Sequence, residues 1–130
     1  MTDFNDKTPF ILIARIKVKP EFREQYLDIA KVTDMKVKQK EPGMLHHTFD
    51  QDPDDINSFT WSEVYKNDKA FIDHVSNEDV KFYLEKHKDL GSDFSVEVYG
   101  TVGLECLKLM KNTNLPLKVY NSLFGYSRVS

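Results

Sequence analysis

Residues 10–18 read FILIARIKV, and this stretch decides the fold class. Its even-numbered residues are all apolar, whereas the odd-numbered positions change from isoleucine at 11 and 13 to Arg15 and Lys17. Successive side chains of a strand point to opposite faces, so the pattern predicts a β-strand with one fully apolar face. Pro20 has no N–H for a strand ladder, and we expect the strand to end before it.

After Pro20 the spacing of the apolar residues becomes helical. The positions that predict the buried stripe of this helix are Phe22, Tyr26, Ile29, Thr33 and Val37. The sequence EPG at 41–43 ends the helix, because proline disfavours the helical conformation of the residue before it. Strands over 44–50 and 58–65, joined by the turn residues 52–55, then predict an antiparallel hairpin.

Two further helices and a fourth strand complete the pattern. Asn67 or Asp68 is predicted to cap one helix, and Ser76 or Asn77 to cap the next, which ends near Gly91. A strand through residues 94–98 follows. The order βαββ(αα)β predicts an α+β, ferredoxin-like domain over residues 9–103, with a flexible N-terminus at 1–8 and an extension at 104–130.

One face of such a sheet has no helices to cover it. The side chains predicted on that face are Ile11, Ile13, Met44, Val64 and Tyr99. A partly apolar sheet face requires a partner, and we expect a second copy of the chain to supply it. The prediction is a homodimer in the form of a dimeric α/β barrel.

The extension is too apolar for a solvated tail. Its pattern favours a short helix around Leu107 and a last strand at 117–120. We expect this arm to pack at the dimer interface, to add its strand to a sheet edge, and to close one mouth of any pocket. Cys106 is expected to be a small buried side chain and not a nucleophile.

Composition excludes several classes of protein. The net charge is −3, which disfavours a nucleic-acid binder. A single cysteine excludes an internal disulfide and a cysteine-based zinc site. The longest apolar run, residues 10–14, is too short to cross a membrane. These features predict a soluble cytoplasmic protein with neither membrane nor nucleic-acid partners.

Ionisable residues interrupt the predicted core. His47 and Glu63 occupy core-facing strand positions beside Trp61 and Tyr65, and His74 lies on the apolar stripe of a covering helix. Buried ionisable groups are costly unless they are paired or functional, so their convergence predicts a pocket. The alternatives are a buried Glu63–His74 pair of purely structural importance and a metal site made by these two residues with His47.

The chain also resembles the antibiotic biosynthesis monooxygenase family, which includes small quinol monooxygenases. Residues 13–20 (IARIKVKP) resemble the family's first strand and turn, and 41–43 (EPG) its helix-to-strand joint. Residues 63–65 (EVY), followed by His74, resemble its Glu-x-aromatic…His signature, and Tyr83 stands where members often carry an aromatic. The resemblance covers about residues 10–102.

The resemblance implies a monooxygenase that uses neither metal nor flavin and acts with O₂ on a small aromatic, quinol or polyketide-like substrate. No cofactor is expected. In this interpretation an imidazole base makes the electron-rich phenolate, and aromatic side chains stack on the substrate. The implied catalytic residues are His74, His47 and Glu63, and the implied substrate-binding residues are Trp61, Tyr65 and Tyr83.

The chain departs from the family pattern at several positions. Tyr65 replaces the more common tryptophan, and Asp79 stands near the place of a second histidine. The haem-degrading branch uses an Asn–Trp–His set, but His74 aligns with its tryptophan, and Leu84 or Glu85 with its histidine. Haem degradation is therefore disfavoured, while simple haem binding stays open. The alternative to an enzyme is a non-catalytic ligand-binding or stress-response module on the same scaffold.

Overall fold

The structure is a computed structural model that describes residues 4–129. After a short 3₁₀ turn at Pro20–Phe22, the elements follow the order predicted from the sequence and continue into the extension. They are β1 Phe10–Val18, α1 Arg23–Lys40, β2 Met44–Asp52, β3 Asp55–Tyr65, α2 Asp68–Ser76, α3 Glu78–Leu90, β4 Gly91–Tyr99, α4 Leu104–Lys111 and β5 Leu117–Tyr120. The predicted α+β, ferredoxin-like fold class is confirmed.

The five strands form one sheet in the order β2-β3-β1-β4-β5. The first four are mutually antiparallel, whereas β5 runs parallel to β4. A parallel neighbour cannot be reached through a tight hairpin, so α4 serves as the crossover between β4 and β5. The predicted addition of residues 117–120 to a sheet edge is therefore correct.

The core lies between one face of the sheet and the helices. The even-numbered side chains of β1 are at most 5% exposed, and those of Phe59, Trp61 and Tyr65 on β3 are similarly buried. From α1, Tyr26 and Ala30 pack against them. The alternation seen in residues 10–18 therefore places the core as predicted.

Strand β2 differs from the prediction at its start. Its register shifts between Met44 and His46, so that Met44 pairs with Tyr65 while His47 pairs with Glu63. Leu45 is the extra residue of this irregularity, which reverses the alternation. Met44 packs against the core instead of lying on the uncovered face, and its predicted placement there was wrong.

The extension contributes to the core of the single chain. Helix α4 packs against α2 and buries Cys106 and Met110, which are 0% and 2% exposed. Burial raises the pKa of the Cys106 thiol to about 12, as suits a core side chain. Helix α4 therefore lies on the covered face of the sheet, beside α2.

The chain before β1 forms a turn over residues 5–8, where Thr8 N–H donates to the carbonyl of Asn5. Asp68 N–H also donates to the carbonyl of Asp6 at 3.2 Å. The first three residues of the predicted flexible N-terminus lie outside the described residues. None of the helices within residues 4–129 is long and apolar enough to span a membrane.

Candidate functional site

A cavity of about 80 Å³ lies between the sheet and the helices. This is several times the ~10–15 Å³ that one water molecule needs. All six side chains predicted from the sequence line it: His47, Trp61, Glu63, Tyr65, His74 and Tyr83. Strands β2 and β3 and helices α2 and α3 bring them together, so the predicted convergence on one pocket is observed, while their roles stay predictions.

His47 is held by a carboxylate at each ring nitrogen. Its Nδ1 lies 2.8 Å from Oδ1 of Asp34, and its Nε2 lies 3.5 Å from Oε2 of Glu63. Its ring also stacks on Trp61, with centroids 4.5 Å apart. Burial alone would lower the pKa of His47, but the hydrogen bonds and charges of Glu63 and Asp34 outweigh burial and raise it above 6.5.

Glu63 is the buried carboxylate of this cluster, and its side chain is 6% exposed. Tyr65 donates its hydroxyl proton to Oε1 at 2.6 Å. Burial would raise the pKa of Glu63, but the hydrogen bond to His47, the charges of His74 and His47, and the Tyr65 hydroxyl together lower it. Glu63 is therefore set to stay ionised between its partners.

His74 does not pair directly with Glu63, contrary to the structural alternative considered from the sequence. Its Nδ1 lies 2.8 Å from Oε1 of Glu41, and Asn77 donates from Nδ2 to the other oxygen of Glu41 at 2.8 Å. A carboxylate can only accept, so the Nδ1 of His74 carries the proton. Within residues 4–129 its Nε2 has no hydrogen-bond partner and, in the neutral ring, keeps its lone pair.

The sequence EPG at 41–43 makes the contact between His74 and Glu41 possible. A Cβ atom added to Gly43 would lie 2.7 Å from the Cβ of Ala70, which no real side chain tolerates. Glycine therefore lets the start of α2 approach this turn closely. One turn further along α2, His74 then reaches the buried carboxylate of Glu41.

A chain of hydrogen bonds leads away from the cavity. Trp61 donates from Nε1 to the hydroxyl of Tyr83 at 2.8 Å, and that hydroxyl is bonded to the hydroxyl of Tyr26. Tyr26 in turn lies 2.7 Å from Nδ1 of His87. Burial lowers the pKa of His87, which favours the neutral ring as the final acceptor. The chain fixes the orientation of Trp61 and Tyr83, two cavity-lining rings.

Three polar residues of the site were missed by reasoning from the sequence. Glu41 was interpreted only as part of the end of α1, and Asn77 only as the cap of α3. Asn77 does cap α3, because its Oδ1 accepts a hydrogen bond from Asp79 N–H. Asp34 was not considered. It lies beside the buried stripe of α1, one residue after Thr33, and that position was the only available signal.

The metal site considered from the sequence is not formed. Within residues 4–129, no three histidine, cysteine or acidic side chains are arranged to hold a metal ion. His47 and His74 direct their Nδ1 atoms toward different carboxylates, on Asp34 and Glu41. The expectation that no cofactor is needed stays a prediction.

The sequence profile of the family described as "Antibiotic biosynthesis monooxygenase" matches residues 9–86. This span runs from β1 into α3 and includes His47 and His74 with the carboxylates that contact them. The chain belongs to this family. A curated relative, the protein sll1783 of Synechocystis sp., is 30% identical over 82 residues, which cover 63% of the chain and 55% of the relative. The chain thus matches little more than half the length of that relative.

Solved structures share the fold. MupZ from Pseudomonas fluorescens aligns with a TM-score of 0.73 at 17% identity, covering 93% of this chain and 95% of MupZ. A candidate antibiotic biosynthesis monooxygenase from Caulobacter crescentus aligns with a TM-score of 0.70 at 18% identity, over 76% of this chain and 94% of its own. At these identities the likeness concerns the fold alone.

Proposed function

We propose that this family member is a monooxygenase that uses no cofactor and oxidises a small aromatic or quinol substrate with O₂. The observation that carries the proposal is a histidine with one free ring nitrogen at an aromatic-lined cavity. His74 lines the cavity, Glu41 fixes its tautomer, and Asn77 fixes Glu41. A base whose orientation is set by a third group is the arrangement that general-base catalysis requires.

The first step assigns the proton. Nε2 of His74 accepts the proton of a substrate hydroxyl, and Glu41 stabilises the resulting imidazolium through Nδ1–H. Imidazole suits this step because its ordinary titration range includes neutral pH. Trp61, Tyr65 and Tyr83 supply apolar ring surfaces against which a flat substrate packs.

The second step uses O₂ as the oxidant. The phenolate passes one electron to O₂, and the phenoxyl radical and superoxide combine to form a carbon–oxygen bond. Cleavage of the O–O bond then releases water, so a quinol and O₂ yield a hydroxyquinone and H₂O. One oxygen atom enters the product and the other is reduced to water. The largely apolar lining of the cavity between sheet and helices protects the peroxy species from side reactions.

Oxygen uptake tests this proposal. Metal-free protein is supplied with a panel of hydroquinones and anthrone-like phenols, and the expected result is uptake above the autoxidation of the same compounds. Labelled ¹⁸O₂ should place one atom in the product. Uptake no greater than autoxidation across the whole panel would favour the alternative of a non-catalytic ligand-binding or stress-response module. A Soret band on titration with haemin would instead support haem binding.

The homodimer and the role of the tail, residues 121–130 after β5, belong to the same proposal. On the uncovered sheet face, Ile11 is 44% exposed and Tyr99 38% exposed, and beyond β5 Phe124 is 90% exposed. We infer that a second copy covers this surface and that the tail packs at the interface. Light scattering should give about twice the chain mass of 15.2 kDa, and removing residues 121–130 should weaken the dimer. A stable monomer at micromolar concentration would contradict this inference.

A further inference from the structure

The cavity extends across the sheet from His47 and His74 to the edge strand β5. Backbone pairing places Trp61, Ala14, Val96 and Leu117 in one row across four strands, and all four line the cavity. Neighbouring strands lie about 4.7–4.9 Å apart, so this row spans about 14 Å. Alanine in the row adds little bulk to the floor of the cavity.

The two ends of the cavity differ in chemistry. The ionisable groups lie at the end formed by β2, β3 and α2. The side chains at the other end, contributed by β4 and the extension, are Phe94, Val96, Met110, Thr113, Leu115 and Leu117. Thr113 is the polar exception, and its hydroxyl donates to the carbonyl of Met110 at 2.8 Å. This end therefore offers apolar surface to a ligand.

The extension builds this apolar end as an ordered part of the fold. Met110 is buried in the core and anchors the end of α4. Asn114 then adopts φ 59°, a left-handed conformation that asparagine tolerates, and the chain reverses toward β5. Val96 N–H donates to the carbonyl of Pro116 at 2.8 Å, which fixes the returning segment beside β4. The family profile ends at residue 86, so this wall lies outside the segment that defines the family.

We propose that the end of the cavity formed by the extension is a subsite for an apolar substituent, such as a short alkyl chain, on the aromatic ligand. The proposal rests on the proposed function for placing a phenolic hydroxyl near His74 and Glu63. The alkyl group then extends along the row toward Leu115 and Leu117. A charged substituent would lose its hydration against apolar walls and is excluded.

The affinity of alkylphenols measures the subsite directly. Trp61 is the single tryptophan and lines the cavity, so its fluorescence reports binding. The probes are phenol, 4-ethylphenol, 4-propylphenol and 4-pentylphenol, titrated without oxygen and checked by calorimetry. Burial of each methylene is expected to tighten binding about fourfold until the subsite is full.

Variants at Leu115 locate the subsite. Leu115→Ala lengthens the apolar end, so the chain length that gives the tightest binding should increase. Leu115→Phe shortens it and should weaken the binding of 4-pentylphenol by about 16-fold, which corresponds to the loss of two buried methylenes. The matched control is Leu123→Ala, because Leu123 belongs to the same extension but is 78% exposed and outside the cavity lining. This control should leave the whole series unchanged.

Binding and oxidation separate this inference from the proposed function. If affinity depends on the length of the alkyl chain and that dependence shifts in the Leu115 variants, the subsite is supported even when no oxygen is consumed, and the oxygenase proposal alone fails. If oxygen is consumed but affinity does not depend on chain length, the oxygenase proposal is supported and the subsite fails. The subsite is overturned if no alkylphenol binds the wild-type protein, or if the Leu115 variants, melting like wild type, keep its chain-length preference.

Discussion

The two histidines at the cavity share one kind of contact at Nδ1 and differ at Nε2. Their side chains are 9% and 12% exposed, for His47 and His74, and both place Nδ1 2.8 Å from a carboxylate oxygen. At the second nitrogen they differ, because Nε2 of His47 faces Glu63 while Nε2 of His74 has no partner among the described residues. The first ring is thus stabilised as a cation, and the second can accept a proton.

From this difference we infer separate roles for the two histidines within one cavity. His47 and Glu63 neutralise each other and support Tyr65 and Trp61, which makes them a positioning unit. In the proposed function His74 is the base, and Glu41 is the partner that orients it. The sequence-based interpretation treated both histidines as equal candidates for the base, and the geometry favours His74.

The largest expected effect concerns the stability of the His47 unit. Glu63→Ala removes one partner of a buried ion pair and leaves the Tyr65 hydroxyl without its acceptor. Such a loss costs about 3–5 kcal/mol of unfolding free energy. Denaturant unfolding at pH 6 measures it, and Glu63→Gln, which keeps the size and an acceptor, should lose less. A loss below about 1 kcal/mol would mean that the pair is not formed.

The next effect concerns catalysis. His74→Ala should lower the rate of oxygen uptake by about 10²-fold or more, because it removes the base. Added imidazole should restore part of the rate in this variant. In His47→Ala it should not, since there the lost group positions its neighbours. Melting curves establish that both variants fold, and an unchanged rate in folded His74→Ala would clear His74 of the role.

A smaller effect is expected from the partner of the base. Glu41→Gln keeps the shape but replaces a charge-assisted hydrogen bond to His74 by a neutral one. The difference is about 1.5 kcal/mol, which corresponds to roughly a tenfold lower kcat. The control is Glu105→Gln, an exposed carboxylate on α4, which should leave kcat unchanged. Equal rates in both variants would show that Glu41 does not orient the base.

The features that could be predicted from the sequence are those set by residues close together in the chain. Alternation in residues 10–18 and helical spacing in α1 are local patterns, and they predicted the elements and the core. The three polar residues that sequence reasoning missed act through long-range contacts. Glu41 meets His74 33 positions away, and Asn77 meets Glu41 across 36. Hydrophobic periodicity carries no information about such pairs.

The error at Met44 has a similar origin. One extra residue in β2 reverses its alternation, and nothing in the sequence from 44 to 47 marks the shift before the partner strand is known. The contribution of α4 to the core of the single chain was not predicted, because the apolar positions of a short helix fit a core as well as an interface. The strand of the extension was predicted correctly, since an apolar alternating segment needs a sheet edge or a partner wherever it lies.

The smallest expected effect tests the charge of His47 through pH. The pKa of His47 is raised above 6.5 in the folded protein, so its stabilising contribution is complete below about pH 6.5 and is lost as pH rises through the folded pKa. Asp34→Asn removes one of the carboxylates that raise the pKa of His47 and should therefore lower that pKa. The loss of stabilisation by His47 should then begin at a lower pH. Because Asp34 is 43% exposed, the change in unfolding free energy at pH 6 should stay below about 1 kcal/mol.

NMR titration of the His47 ring measures the pKa directly, with Asp28→Asn, an exposed position on the same helix, as the control. An identical His47 titration in the two variants would mean that Asp34 does not raise the pKa of His47 and that Glu63 alone stabilises the charged ring. His47, like His74, would then have one ring nitrogen without a protein partner.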